Sequence, residues 1–264
     1  MGNEIPVVIL CGGLGTRIKE ETEYQPKPMV KIGKTPILWH IMKIYSFYGY
    51  KKFILCLGYK GNIIKDYFLN YEILSHDFTI ELGNHQSIKM HGNEDKHDWQ
   101  ITLADTGENT LKGGRIKRIE KYVDTENFML TYGDGLANIN IGKLMSFHKD
   151  HGCIGTVTGV RPPSRFGEMK INNNQVVSFT EKPQISEGII NGGYFVFNKE
   201  IFDYLSPDEK CDFENGPLEQ LAEDNELRVY PLKGEWACMD TFRDMQYLNN
   251  LWKAGKSFWR VWDK

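Results

Sequence analysis

A short glycine-rich segment, one lysine between prolines and two widely separated aspartates are the residues whose types suit phosphate chemistry. Gly12-Gly13-Leu14-Gly15-Thr16-Arg17 follows the apolar run of residues 5–10. Glycines let the backbone take positive φ and approach a ligand closely. Consecutive N–H groups turned inward form a nest for phosphate oxygens, and Arg17 adds a planar, permanently charged fork. A bare G-G-x-G also fits a tight strand-to-helix turn that binds nothing. Two better-known glycine loops are excluded. The dinucleotide fingerprint G-x-G-x-x-G needs glycine where Ile18 stands, and the Walker A pattern begun at Gly12 needs it where Arg17 stands.

Lys27 lies in Gln25-Pro26-Lys27-Pro28-Met29. Prolines on both sides stiffen the backbone and fix the direction of the side chain. An ammonium held this way can neutralise charge on a phosphoryl group in transfer; a solvated loop lysine is the alternative. Asp134, in Gly133-Asp134-Gly135, and Asp240, in Met239-Asp240-Thr241, each follow an apolar run. Each alone fits a turn or a helix cap. Together they can hold one Mg²⁺, which takes oxygen ligands and is completed by substrate phosphates and water.

These residues need strand ends to position them. Residues 5–10, 53–57, 128–132, 154–160, 192–197 and 228–232 are short apolar runs suited to buried strands. Between them, Ile37, Leu38, Ile41, Ile44, Tyr45 and Tyr48 recur at helical spacing. Thr35 is placed to cap that helix, Pro36 to occupy its first position and Gly49 to end it. Residues 62–69 read as a second helix. Alternating strands and helices predict an α/β fold with a mostly parallel sheet, in which ligands bind at the carboxyl ends of the strands. Residues 82–98 are rich in Gly, Asn, His and charge and read as a loop or polar arm. Residues 242–264 read as a helical, then aromatic tail.

The 264 residues are 41% hydrophobic and carry a net charge of −3, enough apolar mass for a sizeable core and no basic surplus for non-specific nucleic-acid binding. The chain is expected to form a single domain, 1–264. Five cysteines without a C-x-x-C pair predict reduced thiols in the cytoplasm. The sequence contains no signal-peptide pattern and no apolar run long enough to span a membrane.

In chain order, G-G-L-G-T-R, P-K-P-M, T-P-I-L-W-H, G-D-G, E-K-P, I-N-G-G-Y-F and M-D-T resemble the sugar-1-phosphate nucleotidylyltransferases, over residues 7 to about 262. Three further stretches, D-T-G-E-N-T-L-K-G-G-R, R-F-G-E-M and W-x-x-M-D-T-x-R-D, are similar to the branch that uses CTP and glucose 1-phosphate. The resemblance implies a Rossmann-like three-layer fold with a mixed, mostly parallel sheet. It also implies in-line attack of the sugar phosphate on the nucleotide α-phosphate, with loss of pyrophosphate. Arg17 and Lys27 are then the catalytic cations. Leu10, Gly12, Gly13, Gly15, Thr16, Arg17, Lys27, Thr110, Arg115 and Gly133 bind the nucleotide. Gly167, Glu181, Lys182 and Asn191 bind the sugar phosphate, and Asp134 and Asp240 hold Mg²⁺. A homo-oligomer is expected, with no nucleic-acid or membrane partner. Cys11 departs from the alanine of many relatives. The glutamine motif of uridine- and thymidine-using relatives is missing before G-D-G, which favours cytidine.

The remaining alternatives are the same chemistry with another base or sugar, and a silent relative that binds nucleotide only. The presence of Arg17, Lys27, Asp134 and Asp240 favours activity. His148 and His151 have the i, i+3 spacing of a metal pair but read better as a solvated C-terminal helix turn. Trp236, Trp252, Trp259 and Trp262 read as core or subunit-contact residues rather than base-stacking ones. His85, His91 and His97 have no third ligand at credible spacing.

Overall fold

The computed structural model describes residues 4–13, 15–83, 87–91, 97–162, 168–172, 175–180 and 188–263. Among these, seven strands form the central sheet, in the order Leu227–Pro231, Gly155–Val160, Ile190–Asn198, Asn127–Tyr132, Val7–Leu10, Lys52–Leu57 and Gln100–Asp105. Neighbours are parallel except at Ile190–Asn198, which runs antiparallel to both of its neighbours. The predicted α/β class with a mixed, mostly parallel sheet is therefore what the chain adopts.

The continuous apolar character of the first strand follows from burial on both faces. Val7 and Ile9 join one core with Ile37, Leu38 and Ile41 of the helix Ile37–Phe47 and with Ile141 and Leu144 of the helix Ile141–His151. Val8 and Leu10 point the other way, into a second core with Ile116 of the helix Lys112–Arg118 and with Phe213 and Leu221. From Val7–Leu10 the chain runs outward through Lys52–Leu57 to Gln100–Asp105, then returns to the opposite side as Asn127–Tyr132. The strand order reverses between Val7–Leu10 and Asn127–Tyr132, where Leu10 is in register with Tyr132. The loops leaving both strand ends diverge there and leave a crevice.

Several local expectations change. The helix after the glycine loop does begin at Ile37 and end near Gly49, whose φ is +87°. Its N-cap, however, is Pro36, without a side-chain cap. Thr35 is drawn instead into a two-residue bridge with Ile32, and its hydroxyl lies 3.1 Å from His40 Nε2. The segment expected to be an unstructured arm contains Ser87–His91, which pairs with Asp77–Glu81 as an antiparallel hairpin. Period-2 alternation places Phe78 opposite Met90 and Ile80 opposite Ile88. Phe78, Ile80 and Ile88 stay exposed.

The expected solvated His148–His151 turn is corrected too. The helix does end at Gly152 in the left-handed region, but His148 is buried. Its Nδ1 lies 2.9 Å from the Thr156 hydroxyl and its Nε2 3.1 Å from Asn127 Oδ1. Burial, with His151 and Lys149 nearby, lowers its pKa to about 4, so it sits as a neutral core histidine. Among the tryptophans, Trp259 is fully buried, and Trp252, Trp259 and Trp262 surround His40.

Candidate active site

The crevice at the strand reversal is a cleft of about 740 Å³. Its floor is the glycine segment. Cys11 continues the ladder by donating its N–H to the Cys56 carbonyl at 3.0 Å. Gly12 and Gly13 follow, and Gly15 has φ +63° before the single turn Thr16–Ile18. A Cβ on Gly13 would meet no described atom within 4 Å, so this backbone faces the cleft. A Cβ on Gly12 would stand 2.2 Å from Arg115 Cζ, so only glycine lets the guanidinium lie against the loop.

Arg115 is buried under that loop. Its Nη2 donates to the carbonyls of Gly12 and Glu108, both at 3.0 Å. Its Nη1 donates to the Leu57 carbonyl, the Thr106 hydroxyl and the Gly107 carbonyl. One side chain thus ties the glycine segment to the ends of Lys52–Leu57 and Gln100–Asp105. Thr110 is also buried, and its hydroxyl accepts from Arg118 Nη1 at 2.8 Å. Both residues line the cleft, with their polar side-chain atoms engaged by protein.

Lys27 lies in the single turn Lys27–Met29, entered through Pro26 in extended geometry. Its Nζ donates to Asp134 Oδ2 and to Asp240 Oδ1, each at 2.6 Å. Burial works against the ammonium, but the charge of Asp134 and the hydrogen bonds from both carboxylates outweigh it and raise the pKa, which holds Lys27 charged. Arg17, largely exposed, donates to the second oxygen of Asp240 at 2.7 Å. The predicted cations and acids, separated by up to 223 residues, thus form one chain of ion pairs. Gly133 permits the approach: a Cβ there would be 2.7 Å from the Leu10 carbonyl oxygen and 2.9 Å from Pro28 Cγ.

A two-stranded ribbon brings the aspartates together. Gly135–Ala137 pairs antiparallel with Trp236–Cys238, with Cys238 opposite Gly135, and Met239 donates its N–H to the Asp134 carbonyl at 2.9 Å. Strand alternation turns Trp236, Cys238 and Asp240 toward the cleft and buries Met239 between them in the core. Thr241 then caps the helix Phe242–Lys253 in a reciprocal box with Asp244. Trp236 packs against the core and also lines the cleft, and its Nε1 donates to the Gly192 carbonyl at 2.8 Å.

Asp134 and Asp240 fit a hard divalent cation. Single ligand atoms of Asp134, Cys238 and Asp240 lie within 4.8 Å of one another, and an ammonium already sits against both carboxylates. Cys238 is not a ligand for such an ion. Burial, Asp134 and Asp240 all raise its pKa, leaving a neutral thiol, whereas a hard cation selects oxygen.

Apart from Asn191, the opposite wall was not foreseen from sequence. The Tyr132 hydroxyl donates to Glu214 Oε1 at 2.6 Å and accepts from Asn191 Nδ2 at 3.1 Å. Lys112, at the start of the helix Lys112–Arg118, pairs with Glu214 and lies 4.9 Å from the Tyr132 ring centre. Glu214 sits in an irregular segment with non-helical backbone at Asn215 and Gly216, and carries no local signal. Cys238 did carry one, the alternation of W-A-C-M-D. Of the residues assigned by resemblance to the sugar phosphate, Asn191 lines the cleft, while Gly167, Glu181 and Lys182 lie outside the described residues.

The profile of the family described as nucleotidyl transferase matches residues 6–255. The chain is 47% identical over 255 residues to the probable glucose-1-phosphate cytidylyltransferase of Bacillus subtilis (strain 168), covering 97% of this chain and 99% of that one. It is also 47% identical over 257 residues to the glucose-1-phosphate cytidylyltransferase of Salmonella typhimurium, with the same coverage. Among solved structures, HddC from Yersinia pseudotuberculosis superposes with a TM-score of 0.66 at 26% identity, covering 94% of this chain and 99% of that one. A UDP-glucose pyrophosphorylase complexed with UDP-glucose superposes at 0.68 and 16% identity, covering 95% and 99%. With the profile spanning nearly the whole sequence, and the fold shared with these structures, the chain belongs to the nucleotidyl transferase family.

Proposed function

We propose that the protein transfers a cytidylyl group from CTP to α-D-glucose 1-phosphate, giving CDP-glucose and pyrophosphate. The observation that carries the reading is the near-full-length 47% identity to glucose-1-phosphate cytidylyltransferases. The convergence of the glycine segment, Arg17, Lys27, Asp134 and Asp240 on one cleft supports it. In-line transfer between two phosphate oxygens needs positioning and charge neutralisation more than a protein nucleophile. The backbone N–H groups from Gly12 to Thr16, with Arg17, receive the triphosphate. Arg115 keeps that backbone in shape from below, acting as a positioning residue. Lys27, oriented by two carboxylates before any ligand arrives, neutralises charge at the α-phosphate. Asn191, with Tyr132 and Glu214 behind it, borders the sugar-phosphate side.

Mg²⁺, held by Asp134 and Asp240, would supply charge neutralisation at the phosphoryl oxygens when bound. We further read residues 1–264 as one catalytic domain, a reading supported by two cores flanking one sheet. Five unpaired thiols support a cytoplasmic setting. Among the described residues no helix is long and apolar enough to cross a membrane. Assembly with further copies is supported by the exposed apolar face of the hairpin Asp77–Glu81/Ser87–His91.

The test is a matrix of the four common triphosphates against several sugar 1-phosphates, read by pyrophosphate release in Mg²⁺. CTP with glucose 1-phosphate is expected to have the highest kcat/KM. A different best pair overturns the substrate assignment.

A further inference from the structure

Cys238 has no part in the reaction proposed above, yet it stands inside the charged centre of the cleft. It shares a strand face with Asp240, two residues on, and lies opposite Gly135, next to Asp134. One ligand atom from each of the three residues falls within a sphere of contacts no wider than 4.8 Å. A cation is already accommodated at this point, since Lys27 Nζ lies 2.6 Å from one oxygen of each carboxylate. Two carboxylates and a thiol around a position that holds positive charge differ in kind from an all-oxygen magnesium site. Sulfur selects soft and borderline cations, oxygen alone does not.

We propose that Asp134, Cys238 and Asp240 form a binding site for a thiophilic divalent cation of the zinc and cadmium class, and that such a cation shuts the active site. The proposal rests on the reading of the two aspartates as metal ligands and adds the thiol to them. Tetrahedral zinc, with bonds of about 2.0–2.3 Å to oxygen and sulfur, requires ligand atoms roughly 3.3–3.7 Å apart. From separations of no more than 4.8 Å, the three side chains need to close by at most about 1.5 Å to meet this. The fourth position faces the cleft. On binding, the Cys238 S–H bond breaks, an S–metal bond forms and the proton passes to solvent; no electron is transferred. The Lys27 ammonium is displaced from between the carboxylates and loses the orientation that aims it at a phosphate. Inhibition therefore has two causes: the acids are occupied and the lysine is turned away.

The test follows metal binding itself. The full chain, without substrates, is titrated with cadmium and the ultraviolet thiolate-to-cadmium absorption band is recorded. Wild type is expected to develop the band with one equivalent of cadmium per chain. Cys238→Ser and Cys238→Ala are expected to lose it, with unchanged melting temperature as the check on folding. Cys153→Ser and Cys211→Ser, which alter the other incompletely buried thiols, are expected to keep it. Asp134→Ala is expected to weaken cadmium binding at least about tenfold. In turnover assays, each variant measured against its own rate in Mg²⁺, half-inhibiting zinc is expected to rise at least about tenfold in Cys238→Ser. A cadmium band that survives in both Cys238 variants overturns the proposal, as does equal zinc sensitivity. A band that is lost there but unaffected by Asp134→Ala reduces the site to a lone thiol and also overturns it. Pyrophosphate release in Mg²⁺ by wild type, read separately, tests the catalytic assignment whatever cadmium does.

Discussion

Arg115 Nη2 donates to the Gly12 carbonyl at 3.0 Å, from beneath a backbone whose other side faces the cleft. The four N–H bonds of Nη1 and Nη2 serve the five acceptors gathered there, one of them shared; an ammonium has three in a different geometry. Arg115→Lys is therefore expected to leave carbonyls unsatisfied in a buried place. Loss of about 2–4 kcal/mol of stability is expected, read as a lower urea midpoint. KM for the nucleotide should rise more than kcat falls, since the loop loses its shape and the reacting groups remain. An unchanged KM would mean that the loop holds its geometry without Arg115.

Lys27, Asp134 and Asp240 neutralise one another in the resting cleft. Lys27→Met is expected to lower kcat by about 10²–10³-fold, the usual loss when one electrostatic contact to a transition state is removed. Asp134→Ala and Asp240→Ala are expected to lower pyrophosphate release by similar orders of magnitude while the circular dichroism spectrum stays native. Wild-type-like release from either aspartate variant in Mg²⁺ would remove the metal assignment.

His40 sets a pH limit on stability. It is fully buried, with Nε2 3.0 Å from the Ile32 carbonyl and Nδ1 accepting from Trp259 Nε1 at 3.3 Å. That pattern requires a neutral ring protonated at Nε2, because a proton on Nδ1 would face the indole N–H. Burial lowers the pKa to about 4, against the pull of the Ile32 carbonyl and with help from Arg260. The folded pKa lies below the unfolded value of about 6.5. The unfolded chain therefore binds the proton first, and stability present above about pH 6.5 is lost as the pH falls toward 4, by about 3 kcal/mol from this group. His40→Gln is expected to cost stability at pH 7 but to flatten the slope of melting temperature between pH 6.5 and 4. An equally steep slope would assign the acid sensitivity to other groups, His148 first among them.

Ile80 and Ile88 face each other on the hairpin and remain 39% and 44% exposed. Under the proposed assembly through this face, Ile80→Lys combined with Ile88→Glu is expected to lower the sedimentation coefficient toward that of a single chain, with little change in the far-ultraviolet spectrum. The same coefficient in wild type and variant would show that this face does not join copies.

The sequence by itself determined six of the seven central strands, missing Gln100–Asp105, together with the helix Ile37–Phe47 and the glycine-rich segment after the first strand. These depend on neighbours a few residues away: apolar runs, 3.6-residue spacing, and glycines where no side chain fits. It also named Lys27 and Asp134, whose proline and glycine neighbours are local properties, and Asp240, which follows an apolar run. The tertiary structure alone decided how these groups meet. Lys27 reaches Asp134 and Asp240 across 107 and 213 residues, and Arg115 reaches Gly12 across 103. Tyr132 finds Glu214 across 82, in a segment with no periodicity to read. His148 looked solvated because its helix position is terminal, and became buried because Thr156 and Asn127 come from two strands that fold over it. Such contacts exist only once the sheet has closed, since their energy comes from partners that the unfolded chain keeps far apart.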